Sequence, residues 1–174
     1  MKPDKINPFL KNGNFHIVVE TPKGSSNKYA WNKNLGALAF KKPMPAGFTF
    51  PFDFGFIPGT EGEDGDPLDA LILADYPLIS NCVIECVLLG VIEAKQKEDG
   101  ETIRNDRYIF KPVESIQYKS VNAIKDLEVK LIEQIEKFFE FYHQQEGDEY
   151  KSIGTSGPNR ARKMIEEGLI VKVE

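Results

Sequence analysis

Two hydrophobic periods divide this chain of 174 residues, and their order limits the folds open to it. Up to about residue 115 the apolar residues alternate with polar ones or form short runs between turn residues; from 125 to 168 they recur at helical spacing. Strands followed by helices predict an α+β chain, mainly β, with two helices packed on a β core. Residues 15–20 and 35–40 read as strands, with a turn at Asn32, Lys33 and Asn34 between them. Phe48, Phe50, Phe52, Phe54 and Phe56 keep strand period, while Pro51 removes a ladder donor and makes the segment edge-like or irregular. Their rings are expected in the core. The apolar run 83–94 reads as one long strand with a break near Gly90. A polar tip centred on Asp99-Gly100 follows, and residues 107–110 return antiparallel. A helix is predicted from Asp126, an N-cap residue, with Leu127, Leu131, Ile135, Phe138, Phe139 and Tyr142 as its stripe and Gly147 as its stop. A second helix opens at Pro158 and stops at Gly168, before a closing strand at 169–173. No repeat or linker interrupts the chain, so residues 1–174 are expected to form a single domain.

Composition narrows the function classes. Hydrophobic residues at 41% and charged residues at 28% exclude a disordered chain. No apolar run approaches the ~18 residues of a membrane helix, and the polar opening lacks the apolar stretch of a secretory signal. With 22 basic residues against 27 acidic, the net charge is −5 and no basic block stands alone, which argues against nucleic-acid binding. Cys82 and Cys86, if on one strand, share a face about 13 Å apart, too far for a disulfide. They are expected to be buried free thiols in a reducing cytoplasm. With His16 and His143 as its two histidines, the chain has too few soft ligands for a zinc site.

The segment 61–69 carries five carboxylates, and Asp64, Asp66 and Asp69 follow the pattern D-x-D-x-x-D. Gly65 and Pro67 fix a bend that lets the three converge, and the apolar run 70–74 anchors the loop. Two like charges about 5 Å apart repel by ~3 kcal/mol at an effective dielectric of 20. A hard divalent cation reverses that sign, and all-oxygen ligands select Mg²⁺, Mn²⁺ or Ca²⁺. An EF-hand is excluded, since it needs Gly at loop position six and Glu at twelve; counted from Asp64 those positions are Asp69 and Asp75. A divalent site that keeps waters suits a phosphorylated ligand, which also needs cations. Lys28, Lys41, Lys42, Arg104 and Arg107 fall at strand ends or loop edges. Lys28 precedes Tyr29 and Arg107 precedes Tyr108, so in each pair the cation and the ring point to opposite strand faces.

Asp64-Gly65-Asp66-Pro67-Leu68-Asp69 resembles the signature of the soluble family I inorganic pyrophosphatases. Blocks in the same order extend the resemblance over most of the chain: Val19-Glu20-Thr21-Pro22, Asn27-Lys28-Tyr29, residues 50–57, Tyr76-Pro77-Leu78, Leu89-Gly90-Val91 and Phe138-Phe139-Glu140-Phe141-Tyr142. The resemblance implies a small closed OB-like β-barrel flanked by two α-helices. It also implies Mg²⁺-dependent hydrolysis of pyrophosphate (with Mn²⁺ as a substitute), a cytoplasmic location and a homo-oligomer, a hexamer in bacterial members. By the same resemblance Asp64, Asp66 and Asp69 are metal ligands, and Asp66 is the base that deprotonates a metal-bridging water. Glu20 holds a further metal through water, while Lys28, Lys42, Arg107 and Tyr142 bind substrate.

The chain departs from the family pattern at several of these places. Ala30 stands where a glutamate is expected, Lys42 for an arginine, Phe54 for a tyrosine and His143 for a lysine. Two metal-binding aspartates of the hairpin fall on Gln96 and Asn105, and a lysine falls on Arg107. Asp99 and Asp106 are the nearby carboxylates offered as replacement metal ligands. Arg160, Arg162 and Lys163 offer replacement cations. Two other readings stay open: hydrolysis of another phosphoanhydride or phosphate ester, and a non-catalytic phosphate-binding protein on the same fold.

Overall fold

The computed structural model describes residue 3, residues 6–98 and residues 100–170. In chain order its elements are β1 (Phe15–Thr21), β2 (Asn27–Asn32), β3 (Ala37–Pro43), β4 (Asp53–Phe56), β5 (Asp69–Ile72), β6 (Val83–Glu98), β7 (Glu101–Arg104), β8 (Arg107–Pro112), α1 (Val129–Glu146), β9 (Glu149–Ser156) and α2 (Pro158–Glu167). Strands β1, β4, β5, β8 and β6 pair in that order, and β6 pairs back onto β1, which closes the ring. Every pairing in it is antiparallel except β5 with β8. This is the OB-like, mainly β architecture with two helices expected from the sequence. The outer half of β6 extends beyond the ring and carries β7 and β9, while β2 and β3 form a separate ribbon.

Alternation along the ring strands builds two cores. Ala70 and Ile72 of β5 join Tyr108 and Phe110 of β8 in one, with Ala161 and Ile165 of α2. Leu71 and Ile109, on the opposite faces, join Ile135, Phe139 and Tyr142 of α1 in the other. On β6 the alternation slips by one residue: Leu88 and Val91 face the α2 core, whereas Leu89 and Ile92 face the α1 core. The cause is a register shift between Leu88 and Gly90, the break predicted near Gly90. A Cβ at Gly90 would lie 2.4 Å from the Ser156 carbonyl oxygen, so this residue lets β9 approach.

Several boundaries differ from the sequence reading. Asn32 Oδ1 accepts the N–H groups of Asn34 and Leu35, and Gly36 takes φ +62°, so the turn runs longer and β3 begins at Ala37. Of residues 48–56 only the last four are strand; Phe50, Phe54 and Phe56 are buried, as expected, whereas Phe48 and Phe52 are half-buried against the core. Asp126 does not cap α1. Its carboxylate accepts the N–H groups of Asn122 and Ala123 in a short 3-10 turn, and α1 starts at Val129. Gly147 stops α1 in the left-handed conformation. Cys82 precedes β6 and is only partly buried, and both thiols are free. Leu169 forms an isolated bridge with Thr60, and residues 171–173 of the expected closing strand lie outside the described residues. β9 was not expected; it is mostly polar and pairs with the outer half of β6. Among the described residues no helix is long and apolar enough to cross a membrane.

Candidate active site

The acidic loop between β4 and β5 is held at both ends. The Thr60 hydroxyl donates to the Ile57 carbonyl at 2.6 Å and accepts the Leu68 N–H at 3.0 Å. The Glu61 N–H donates to the Gly168 carbonyl at the end of α2. Inside the loop the Asp66 N–H donates to Asp64 Oδ1 at 3.0 Å, the Gly62 N–H to the Asp66 carbonyl at 2.8 Å, and Gly65 takes φ +79°. The bend expected from Gly65 and Pro67 therefore forms, and Asp69 opens β5.

Asp66 and Asp69 are near enough to act on both Glu20 and Asp64. The Glu20 carboxyl is raised to about 8: burial is the main cause, Asp69 and Asp66 add to it, and the bonded Trp31 N–H and Lys28 oppose it. Asp69 and Asp64 are both raised, first by burial; Asp66 adds to the rise in each, and Arg107 opposes it. Neighbouring carboxylates of this kind, with oxygen as every donor, fit a hard divalent cation that keeps part of its water. Among the described residues no three His, Cys, Asp or Glu side chains are gathered closely enough to hold one metal ion. Asp64 bonds the Asp66 N–H instead, and Asp69 Oδ2 takes Arg107 Nη1 at 2.5 Å. The cradle is an open one.

A cationic wall faces it. Lys28 Nζ lies 5.8 Å from the centre of the Tyr142 ring and Lys42 Nζ 5.5 Å, and Lys42 also bonds Glu146. Tyr29 packs on Phe40 while Lys28 turns to Tyr142, the division of faces predicted for that pair. Arg107 is 3% exposed, with its guanidinium 4.7 Å from the Phe139 ring, 5.3 Å from Tyr150 and 5.8 Å from Phe54. His143 stacks on Tyr150 at 5.0 Å. Burial, then Arg107, Lys28 and Lys42, push its imidazole down to about 3, so it is neutral at ordinary pH. Tyr142 Oη, Tyr150 Oη, His143 Nε2 and Arg107 Nε are buried without hydrogen-bond partners among the described residues, the kind of orphaned group that a bound anion or water satisfies. Tyr150 was missed in the sequence because it lies on the unexpected β9.

The hairpin carboxylate Asp106 is already paired with a cation. Asp106 accepts two N–H groups of Arg104 and the N–H of Ala94. Arg104 and Arg160 both pair with Glu93. Arg162 bonds the Gly13 carbonyl and lies over Phe9 and Phe15, so neither Arg160 nor Arg162 joins the cationic wall. Asn105 donates to Gln96 and accepts from Arg107. Asp99 lies outside the described residues. A cleft of about 380 Å³ between the acidic loop and α2 is lined by Asp64, Asp69, Asn105 and Asp106 among others, but by none of Lys28, Lys42 and Tyr142.

Residues 17–170 match the family model described as inorganic pyrophosphatase. The chain is 33% identical over 152 residues to the inorganic pyrophosphatase of Thermus thermophilus, covering 87% of this chain and 85% of that one. It is 32% identical over 170 residues to that of Rickettsia typhi, covering 95% and 93%. The crystal structure of inorganic pyrophosphatase from Thermus thermophilus superposes with a TM-score of 0.87 at 28% identity, over 97% of each chain. That of an inorganic pyrophosphatase from Neisseria gonorrhoeae gives 0.85 at 32% identity, over 95% of each.

Proposed function

The chain belongs to the inorganic pyrophosphatase family and hydrolyses pyrophosphate to two phosphates, and from that premise we propose how its residues divide the work. Asp64, Asp66, Asp69 and Glu20 hold divalent metal, Mg²⁺ or Mn²⁺ by their all-oxygen donors. Such a cation, when bound, acidifies water and neutralises phosphate oxygens. Asp66 accepts the proton of the attacking water. The water oxygen bonds one phosphorus, the bridging P–O bond breaks, and its electron pair leaves with the second phosphate. Lys28, Lys42 and Arg107 offset the charge that grows on that phosphate, and the Tyr142 hydroxyl donates to it. Asp106, paired with Arg104, shapes the hairpin base in this reading. The reading further places residues 1–174 in one domain, in the cytoplasm, as a homo-oligomer of the hexameric type.

What supports this division most is the nearness of Asp69 and Asp66 to Glu20 and Asp64, with Lys28 acting on Glu20 and Asp69 and Arg107 on Asp64 and Asp69. The test is phosphate release from pyrophosphate with and without Mg²⁺. Release is expected to need the metal, and Asp66→Asn is expected to lower kcat by about 10²–10⁴-fold, the range typical of a lost general base. Full activity in Asp66→Asn, or no release with any divalent metal, would reject the assignment.

A further inference from the structure

The hairpin side of Asp69 differs in charge from its loop side. From the loop and β1 come Asp64, Asp66 and Glu20, all acidic. From the hairpin come an amide pair and a guanidinium. Asn105 Nδ2 donates to Gln96 Oε1, Asn105 Oδ1 accepts from Arg107 Nη1, and that same Nη1 donates to Asp69 Oδ2 at 2.5 Å. The neighbouring hairpin carboxylates are already partnered: Asp106 bonds Arg104 and the Ala94 N–H, and Glu93 is shared by Arg104, Arg160 and Ser156.

Arg107 is fixed in this position. Its guanidinium lies among the rings of Phe54, Phe139 and Tyr150, and the Asn105 carbonyl accepts from Nη1 at 3.2 Å. The parallel register that sets Ala70 opposite Tyr108 brings the preceding residues, Asp69 and Arg107, side by side. A divalent cation approaching Asp69 Oδ2 would meet a guanidinium already on that oxygen and two neutral amides beside it. Neutral amide oxygens are weaker partners for a hard cation than carboxylates. The loop side has neither obstacle.

We infer that Arg107 is a resident cation standing on the hairpin side of Asp69 in place of a metal ion, so that metal enters only from the side of Asp64, Asp66 and Glu20. The inference rests on the reading of those carboxylates as metal ligands. Gln96 and Asn105 follow from it: with a fixed positive charge beside Asp69, acidic ligands on the hairpin have no metal to hold, and the amide pair ties β6 to the start of β8 instead.

The experiment counts metal in the absence of substrate. Mn²⁺ bound per chain is measured by equilibrium dialysis, with electron paramagnetic resonance reading the free ion. The proteins are the wild type, the double variant Gln96→Asp/Asn105→Asp, and Arg107→Met. Arg107→Met is expected to bind one more Mn²⁺ per chain than the wild type at the same free concentration. The double variant keeps the buried guanidinium and is expected to match the wild type, so a test remains if Arg107→Met fails to fold. An unchanged count in a folded Arg107→Met, or an extra ion in the double variant, overturns the resident-cation inference alone. No Mn²⁺ bound by any of the proteins overturns the carboxylate reading and this inference with it.

Discussion

His143 carries its imidazole among charges from several elements. Arg107 of β8, Lys28 of β2 and Lys42 of β3 act on it, the rings of Tyr142 and Tyr150 flank it, and the Asp148 carboxylate stands 4.0 Å from Nδ1. Its folded pKa of about 3 lies below the ordinary value of 6.5. Between those two values the unfolded chain binds a proton that the folded chain refuses, so stability falls as pH drops through the window. The slope from this one group is at most about 1.4 kcal/mol per pH unit. Urea unfolding followed from pH 7 to pH 4 is expected to show the fall, and His143→Gln to reduce its slope by up to that amount. Glu20, raised above its ordinary range, tilts stability the other way, so the difference between variant and wild type is the quantity to compare. An identical slope in the two proteins would show that His143 protonates freely in the folded state. Residues at this scale were unequally legible. Asp64, Asp66 and Asp69 could be read because they are close in sequence and share one bend. The bond of Asp69 to Arg107 could not, because the two are 38 residues apart and meet only through the β5–β8 register.

Strands β1 and β4 approach more closely than side chains allow. A Cβ on Gly55 would stand 2.0 Å from the Val18 carbonyl oxygen and 2.9 Å from its carbonyl carbon. Both obstacles are backbone, so Gly55→Ala must part β4 from β1 at the point where Val19 pairs with Gly55. Overpacking of this kind costs about 3 kcal/mol, and the urea midpoint is expected to drop accordingly. Because β4 leads into the acidic loop, the lost stability should come with reduced metal-dependent activity; a midpoint within error of the wild type would mean that the strands can separate freely. Elements were legible where burial imposes a period. The stripe of α1 and the long apolar run of β6 follow from packing on the two cores. β9 was not legible, because Glu149, Lys151, Ser152 and Gly154 lie in a strand with one exposed face and pair with the equally polar outer half of β6. Its placement depends on a partner more than on its own sequence.

Closure of the ring brings the start of β6 and the end of β8 together, and the loops next to them carry apolar side chains outward. Tyr76 is 77% exposed, Ile79 78%, Val83 39%, Val113 41% and Ile116 79%. Asp75 accepts the Ser115 hydroxyl and the N–H groups of Ile116 and Gln117, which ties the loop that follows β5 to the one that follows β8. The Val113 N–H donates to the Glu85 carbonyl and joins the second loop to β6. Apolar groups gathered on loops that are braced in this way mark a surface for association more than scattered exposure does. A second copy of the chain is the occupant that fits the proposed homo-oligomer. Ile79→Asp combined with Ile116→Asp puts two charges into that face, where burial without a partner would be prohibitive, and leaves both cores and the acidic loop untouched. Sedimentation velocity is expected to show a smaller assembly for the double variant, with circular dichroism unchanged. An assembly of wild-type mass would move the interface to another face of the ring.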